Sequence, residues 1–529
     1  MPTSRIVPGR YPAPGVSPIA DRIRERRGAR GLTPLDGTLL HVPPVADGWN
    51  SLLGAIRTKG KIPGDVRELM ILRVGARNGA VFEWLQHEHV GRAEGLNTSQ
   101  LYITRDLDSL PSRNQPSSEY DTVLPPLHAA ALSFADHSTK NVKVPPDVTA
   151  ALRKALRDHI SSGAQSESLE TQVEDLLVEA AATTATYNMV SRFLVSLDVA
   201  AMADSIVPWP ADRAEHKVPL PDSEGHIHVV TYTTHPDAPW IVCSNSLLTN
   251  TKMWDWALPC LLSPQPGNSE RKSLYLGKYR TYNVLVHDQR GHGSSVSPTT
   301  QPCTIPVLAS DIAHILKHLS IPTPVHSVIG VSQGGATVLA FGAAYYPTLT
   351  KSIVACDTSA RTPAGNREAW VSRIELASKG GVDESGVGAN MRELGQATVS
   401  RWFPVGSPCS PEGPGEGLEH RKTRSEVILE DMVMKTTLEG FKLGAGALME
   451  YDLIDSDKSV LASKVPALLV AGSLDGNGKV GEGMAKLQQT WNSNGGNATY
   501  VAIDGAGHLP MVDKTEEWWS VVGEFLSKV

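Results

Sequence analysis

The sequence predicts a multidomain protein of mixed class. It has an all-helical N-terminal domain over 1–205, a linker over 206–217, and an α/β domain over 218–529 that carries a helical cap at about 358–455. Three observations predict this. The chain has 529 residues, too many for one hydrophobic core. Up to about Asp204, apolar residues recur three and four apart with little alternation, the period of a helix. Beyond Pro210, short apolar runs alternate with helical segments, the pattern of a mainly parallel sheet covered on both faces.

In the first part, 66–77 (VRELMILRVGAR), 81–94 (VFEWLQHEHVGRAE), 148–159 and 169–197 read as helices. Pro208, Trp209 and Pro210, followed by AEHK, read as linker. Strands are expected at 226–233 (HIHVVTYT), 240–243 (WIVC), 283–287 (NVLVH), 325–329, 352–356 and 467–471, with TYVAI as the last. Between about Thr358 and Asp455 the strand pattern stops, and helices interrupted by FPVGSPCSPEGPGEG replace it, as suits a cap over a site.

Composition sets limits on function. The net charge of −7 provides no concentrated basic face, so a nucleic-acid partner is excluded. The most apolar stretch, 325–346, contains Ser332, Gln333 and four glycines, and reads as strand, tight turn and helix, so no membrane partner is expected. The five cysteines form no Cys-x-x-Cys pair. A disulfide framework, a cysteine zinc site or any other metal is therefore not expected, and a reducing compartment fits. The N-terminal segment has no apolar core for a signal peptide, and the final Ser527-Lys528-Val529 lacks the leucine of a peroxisomal address, so the expected location is cytoplasmic.

The chemistry centres on Gly330-Val331-Ser332-Gln333-Gly334, between an apolar strand and an apolar helix. Only small residues fit two before and two after a nucleophile on so tight a turn, which presents the hydroxyl at the carboxyl end of the sheet. The pentapeptide alone is a weak signal, because glycine and serine are common. A serine hydroxyl also needs a histidine to take its proton and a carboxylate to orient the imidazole. Asp475 follows the strand ALLVAG, and His508 follows TYVAI in Gly507-His508-Leu509. Ser332, Asp475 and His508 thus occur in the order serine, acid, histidine, each after a strand, as in an α/β-hydrolase-type serine hydrolase. The oxyanion donors are expected to be the backbone N–H groups of Gln333 and of the loop after WIVC, with Ser246 preferred and Leu247 second. In HDQRGHGSS, Asp288 and His292 are expected to pin backbone.

Further residues carry a resemblance. SNSLLTNTKMWD (244–255), HDQRGHGSS, GVSQGG, DTSARTPAGNREAW (357–370), RWF (401–403) and TTLEGF (436–441) make residues 218–529 resemble the 3-oxoadipate enol-lactonases, a branch of the α/β-hydrolases. The departures are Leu248, where these lactonases usually have glycine, and insertions near 263–279 and 404–425. The resemblance implies a small-molecule lactone substrate with a pendant carboxylate. Such a substrate calls for a fixed cation beside apolar walls. Arg361, Arg367, Arg373 and Arg401 are the cap candidates, Arg361 preferred, with Trp370 and Trp402 as walls.

Residues 67–95 (RELMILRVGARNGAVFEWLQHEHVGRAEG) resemble the carboxymuconolactone decarboxylase family, a helical fold. That resemblance implies catalytic roles for Glu68, Glu83 and His87, the last two four apart on one helix face. It also implies a homo-oligomer formed through the helical domain. Thiol chemistry is excluded, because no cysteine precedes Cys243. Decarboxylation of a carboxylated butenolide leaves a dienolate. No cofactor is needed for it, only stabilisation of an oxyanion and an acid that protonates carbon. Together the two resemblances imply a bifunctional decarboxylase and enol-lactone hydrolase that yields 3-oxoadipate in protocatechuate catabolism (the β-ketoadipate pathway). The alternative is a hydrolase of another ester or lactone whose helical half only oligomerises.

Overall fold

The computed structural model describes residues 6–107, 123–160, 168–221, 224–264, 281–298, 303–411 and 422–529. They divide into two compact units, one ending at Pro210 and the other beginning at Ala211.

The first unit is helical. Prolines at first-turn positions and side-chain caps start several helices. Thr33 and Asp36 form a reciprocal capping box before Pro34–Leu39, and Asn97 and Gln100 form another before Thr98–Arg105. At the centre lies Gly64–Arg77, buried at every position from Val66 to Ala76. Its Met70 packs into a cluster with Leu127, Phe134, Leu152 and Val173, and its Ile71 and Val74 into another with Trp49, Leu53 and Val190. A helix enclosed on all sides must neutralise its charged residues internally. Arg73, fully buried, donates from Nε to Asp136 Oδ1 at 2.8 Å and from Nη1 to the carbonyls of Thr104 and Asp106. Arg77 donates to the same carboxylate.

The second unit is built on an eight-stranded sheet in the order β1-β2-β4-β3-β5-β6-β7-β8. The strands are β1 Asp212–Pro219, β2 His226–Thr233, β3 Trp240–Ser244, β4 Asn283–His287, β5 Ser327–Val331, β6 Ile353–Cys356, β7 Pro466–Gly472 and β8 Asn497–Ile503. From β4 to β8 all neighbours are parallel, and only the pairings of β2 with β1 and β4 are antiparallel. Strands β3 to β6 are buried at every residue, as a sheet covered on both faces requires. Because these strands run the same way, the loops after β5, β6, β7 and β8 all leave from one edge of the sheet.

Two local differences from the sequence expectation have physical causes. Strand β1 takes in 212–217, read above as linker. Its residues DRAEHK are mostly exposed on an edge, so it shows charge instead of apolar alternation. Strand β5 begins at Ser327, two residues later than expected, because Val325 makes only an isolated bridge with Thr350. Between β6 and β7 lie the helices Asn366–Ser378, Met391–Trp402, Arg424–Asp431 and Leu438–Met449. Residues 265–279 and 412–421 of the two insertions lie outside the described residues. The stretch 325–346 divides into β5, a turn and the helix Gln333–Tyr345, and no helix among the described residues is long and apolar enough to cross a membrane. All five cysteines are free.

Candidate active site

Ser332 sits between β5 and the helix Gln333–Tyr345 with φ 59° and ψ −117°. A non-glycine residue held there costs about 1–3 kcal/mol, which the surrounding backbone must impose. The turn is enforced by close approach. A Cβ on Gly330 would lie 2.2 Å from the Gly334 carbonyl oxygen, and one on Gly334 would lie 2.2 Å from that of Ser244. The Ser332 N–H donates to the Cys356 carbonyl at 2.9 Å, and Thr358 Oγ1 donates to the Ser332 carbonyl at 2.8 Å. Both glycines of the motif are thus required by packing against β3 and the helix, independent of any chemistry.

Asp475 and His508 meet across the loops after β7 and β8, with His508 Nδ1 2.7 Å from Asp475 Oδ2. Those loops are tied by the N–H of Leu474 to the Ala506 carbonyl and by that of Ser473 to the Ile503 carbonyl. The helical segment between β6 and β7 takes part as well. His508 donates its backbone N–H to the Trp402 carbonyl, and the Trp402 ring stacks on the imidazole with centroids 5.8 Å apart. Burial pushes the Asp475 carboxyl up, but the bond and charge of His508, the neighbouring Asp357 and the charge of Arg401 hold it below the usual range. Among the described residues no hydrogen bond joins Ser332 to His508.

The oxyanion candidates differ in availability. Ser246 donates its N–H to Met253 Sδ at 3.4 Å, so the donor preferred from sequence is engaged. No acceptor faces the N–H groups of Leu247 or Gln333 among the described residues. A Cβ on Gly444 of the helix Leu438–Met449 would meet the side chains of both Leu247 and Gln333, so this helix packs against both residues. Leu248 adopts φ 67°, the left-handed conformation that glycine adopts without strain. Asp288 pins backbone by accepting from the N–H groups of Thr251 and Ser294, and His292 Nδ1 bonds the Arg290 carbonyl.

The cap arginines sort by their partners. Arg361, preferred from sequence, is exposed and paired with Asp455 at 2.8 Å and Asp452 at 3.3 Å, and Arg367 pairs with Glu450. A long surface side chain with acidic neighbours within reach is satisfied there. Arg373 lies over the Trp370 ring at 4.5 Å, and Trp370 in turn packs edge-on against Phe441 of the helix Leu438–Met449. Arg401 has no hydrogen bond or ion pair among the described residues. Arg401 is exposed as a residue, but partial desolvation by the surrounding protein and the nearby Arg373 lower its pKa to about 10, against the opposing pull of Asp475.

The helical unit holds a second cluster. Glu68, Glu83 and His87 line one cavity of about 200 Å³, together with Arg57. Arg57 donates from Nη2 to His87 Nε2 at 2.8 Å and from Nε to the Tyr187 hydroxyl at 2.7 Å. An arginine only donates, so Nε2 is the acceptor, and the His87 proton is on Nδ1, 2.6 Å from Glu68 Oε2. Burial and Arg57 lower the His87 pKa, leaving a neutral imidazole. Burial raises Glu68, but the hydrogen bond from neutral His87 and the charges of Arg67 and Arg57 bring it below the ordinary value. Both Glu83 oxygens are buried without a hydrogen-bond partner, and burial raises its pKa far up despite Arg57. The proton available in this cavity therefore belongs to Glu83, because both nitrogens of His87 are occupied. No local sequence signal points to Arg57 or Tyr187, which lie on other helices.

A raised folded-state pKa makes Glu83 favour folding fully below its unfolded value near 4.5 and progressively less as pH rises toward the folded value. Glu83→Gln is therefore expected to gain thermal stability relative to the wild type as pH increases from 4.5, by up to about 1.4 kcal/mol per pH unit. Paired melting curves from pH 4 to 8 check this, and a constant difference across that range would refute the buried neutral acid.

Comparison with known proteins concerns the α/β unit. Residues 239–515 match the alpha/beta hydrolase fold family. The chain is 26% identical over 239 residues to 3-oxoadipate enol-lactonase 2 of Acinetobacter baylyi, which covers 45% of this chain and 72% of that protein. It is 24% identical over 314 residues to 3-oxoadipate enol-lactonase 1 of the same organism, 59% of this chain and 98% of the relative. The crystal structure of the enol-lactonase from Burkholderia xenovorans LB400 aligns at 27% identity and a TM-score of 0.43, over 57% of this chain and 97% of that one. The family match spans more than half of the 529 residues and includes the turn at Ser332, the acid Asp475 and His508, so the chain belongs to the alpha/beta hydrolase fold family.

Proposed function

We propose that the chain converts a carboxymuconolactone to 3-oxoadipate, the helical unit decarboxylating it and the α/β unit hydrolysing the resulting enol-lactone. The observation that carries the hydrolytic half is the 2.7 Å bond between His508 and Asp475, at the same sheet edge as the strained turn of Ser332. His508 Nε2 takes the Ser332 proton as Oγ adds to the lactone carbonyl. The N–H groups of Leu247 and Gln333 receive the oxyanion. Collapse breaks the ring C–O bond, His508 returns its proton to the departing enol, and water then releases the acid from the acyl-serine by the reverse proton path. The names of the two Acinetobacter relatives support the lactone as substrate.

Arg401, with Arg373 behind it, receives the pendant carboxylate in this reading. Trp402 positions His508, and Trp370 closes the apolar side. In the helical unit, Glu83 supplies the proton to carbon after carbon dioxide departs, and Arg57 faces the dienolate oxygen.

The test measures lactone loss and carbon dioxide release from 3- and 4-carboxymuconolactone and from 3-oxoadipate enol-lactone, for wild type and Arg401→Gln. A carboxylated lactone consumed with carbon dioxide release is expected. Arg401→Gln should raise KM about 10- to 100-fold for carboxylate-bearing lactones and leave kcat nearly unchanged. Hydrolysis of the enol-lactone without carbon dioxide from the other two would remove the decarboxylase and leave a helical half that only assembles subunits. An unchanged KM would remove Arg401 from the substrate.

A further inference from the structure

The acid end of the proposed triad contains a second carboxyl group. Asp357, the residue after β6, is buried at 2% exposure with φ 43°. Its N–H donates to the Val470 carbonyl, and its Oδ1 accepts from the Gly472 N–H, both at 2.8 Å. These bonds fix the side chain between β6 and β7. Its Oδ2 is buried with no hydrogen-bond donor. Asp357, Asp475 and His508 each bring an atom within 4.8 Å of the others.

Two buried carboxylates within 4.8 Å oppose each other's ionisation, which favours retention of a proton by one of them. The surroundings decide which. Asp475 has the His508 Nδ1–H and the charge of Arg401 beside it, which favour its anion. Asp357 has a single backbone N–H. Its other titratable neighbours are Asp513 of the short helix Pro510–Asp513, Tyr500 of β8 and Cys356 of β6, none of them cationic. Burial and the charge of Asp475 raise the Asp357 pKa well above the carboxylate range.

We infer that Asp357 is a positioning residue, a neutral carboxylic acid whose O–H donates to the Asp475 carboxylate and so holds that carboxylate on His508. This rests on the reading of Ser332, His508 and Asp475 as a triad. The proton is shared and not consumed: it stays on Asp357 while His508 shuttles the proton of Ser332. The donor also limits how tightly Asp475 holds the imidazolium, because part of the carboxylate charge is engaged by Asp357.

The distinguishing variants are Asp357→Asn, Asp357→Ala and Asp475→Asn, each in the full chain with p-nitrophenyl acetate as ester probe. An asparagine amide donates to Asp475 through its NH₂ and accepts from Gly472 through its oxygen. Asp357→Asn is therefore expected to keep kcat within about threefold, with an unmoved acid limb of the pH profile. Asp357→Ala should lower kcat about 10- to 100-fold at unchanged KM. It should also shift the acid limb upward, since an unshared Asp475 stabilises the imidazolium more.

If Asp357→Asn instead falls as far as Asp475→Asn, Asp357 acts as an anion and the inference is overturned. It is equally overturned if Asp357→Ala shows no shift of the acid limb, because that is what a role confined to tying β6 to β7 produces. Thermal melts of Asp357→Asn, the isosteric variant, separate folding from chemistry. Fluorophosphonate labelling of wild-type Ser332 tests the triad itself. If it fails to label, the triad reading falls on its own, whatever the Asp357 variants do.

Discussion

Ser332→Ala is expected to lower kcat for lactone opening by about 10⁴- to 10⁶-fold, the range lost when a nucleophile that works as one unit with its base is removed. KM should change little, because the carboxylate contact assigned to Arg401 and the walls at Trp370 and Trp402 do not involve the hydroxyl. The variant should fold as the wild type does. The left-handed backbone at residue 332 is imposed by Gly330 and Gly334 packing against neighbouring backbone, and alanine bears the same strain as serine there. Carbon dioxide release from a carboxymuconolactone should persist, since the cluster of Arg57, Glu68, Glu83 and His87 belongs to the helical unit. Progress curves for lactone loss and carbon dioxide, recorded on one sample, read both activities. Lactone hydrolysis within tenfold of wild type would sink the nucleophile assignment. Loss of both activities together would mean that the helical cluster is not an independent site.

The largest stability effect is expected at Asp136. Its carboxylate, 1% exposed, accepts from Nε of Arg73 at 2.8 Å and from Arg77. Asp136→Ala would leave the fully buried Arg73 cation with only backbone carbonyls, and removal of one partner of a buried pair costs about 3–5 kcal/mol. The carbonyls of Thr104 and Asp106 offset part of that cost, as they do in the native unit. Chemical denaturation followed by far-ultraviolet circular dichroism should show an early transition for the helical unit, with ester hydrolysis by the α/β unit retained. A loss below 1 kcal/mol would mean that the carbonyls suffice for Arg73.

Much of the α/β unit was legible in the sequence because its signals are local. A strand buried on both faces must be a continuous apolar run, as NVLVH is at β4, while HIHVVTYT at the antiparallel β2 alternates, so each marks its own boundaries. The order of Ser332, Asp475 and His508 could likewise be read from strand-end position. Edge strand β1 escaped notice because an edge is satisfied by charge, and charge followed by proline reads as linker.

The site depended more on contacts distant in sequence. Ser246 and Leu247 are adjacent, and nothing local reveals that Met253 takes the N–H of the first and leaves the second free. Arg361 and Arg401 are equivalent as residue types. They separate only when Asp452 and Asp455 fold against the first while Asp475 and Arg373 stand near the second. Arg57 and Tyr187, 130 positions apart, meet at His87, and that meeting determines which ring nitrogen holds the proton. The sequence by itself determined the class of each half and put forward the three residues of the proposed triad, because periodicity and tight turns are properties of neighbouring residues. The tertiary structure alone decided, among the described residues, which N–H groups are engaged, that Arg361 and Arg367 are ion-paired while Arg401 is not, and how Asp357 and Asp475 are brought together. Availability and pKa depend on burial and on charges that only the folded chain brings together.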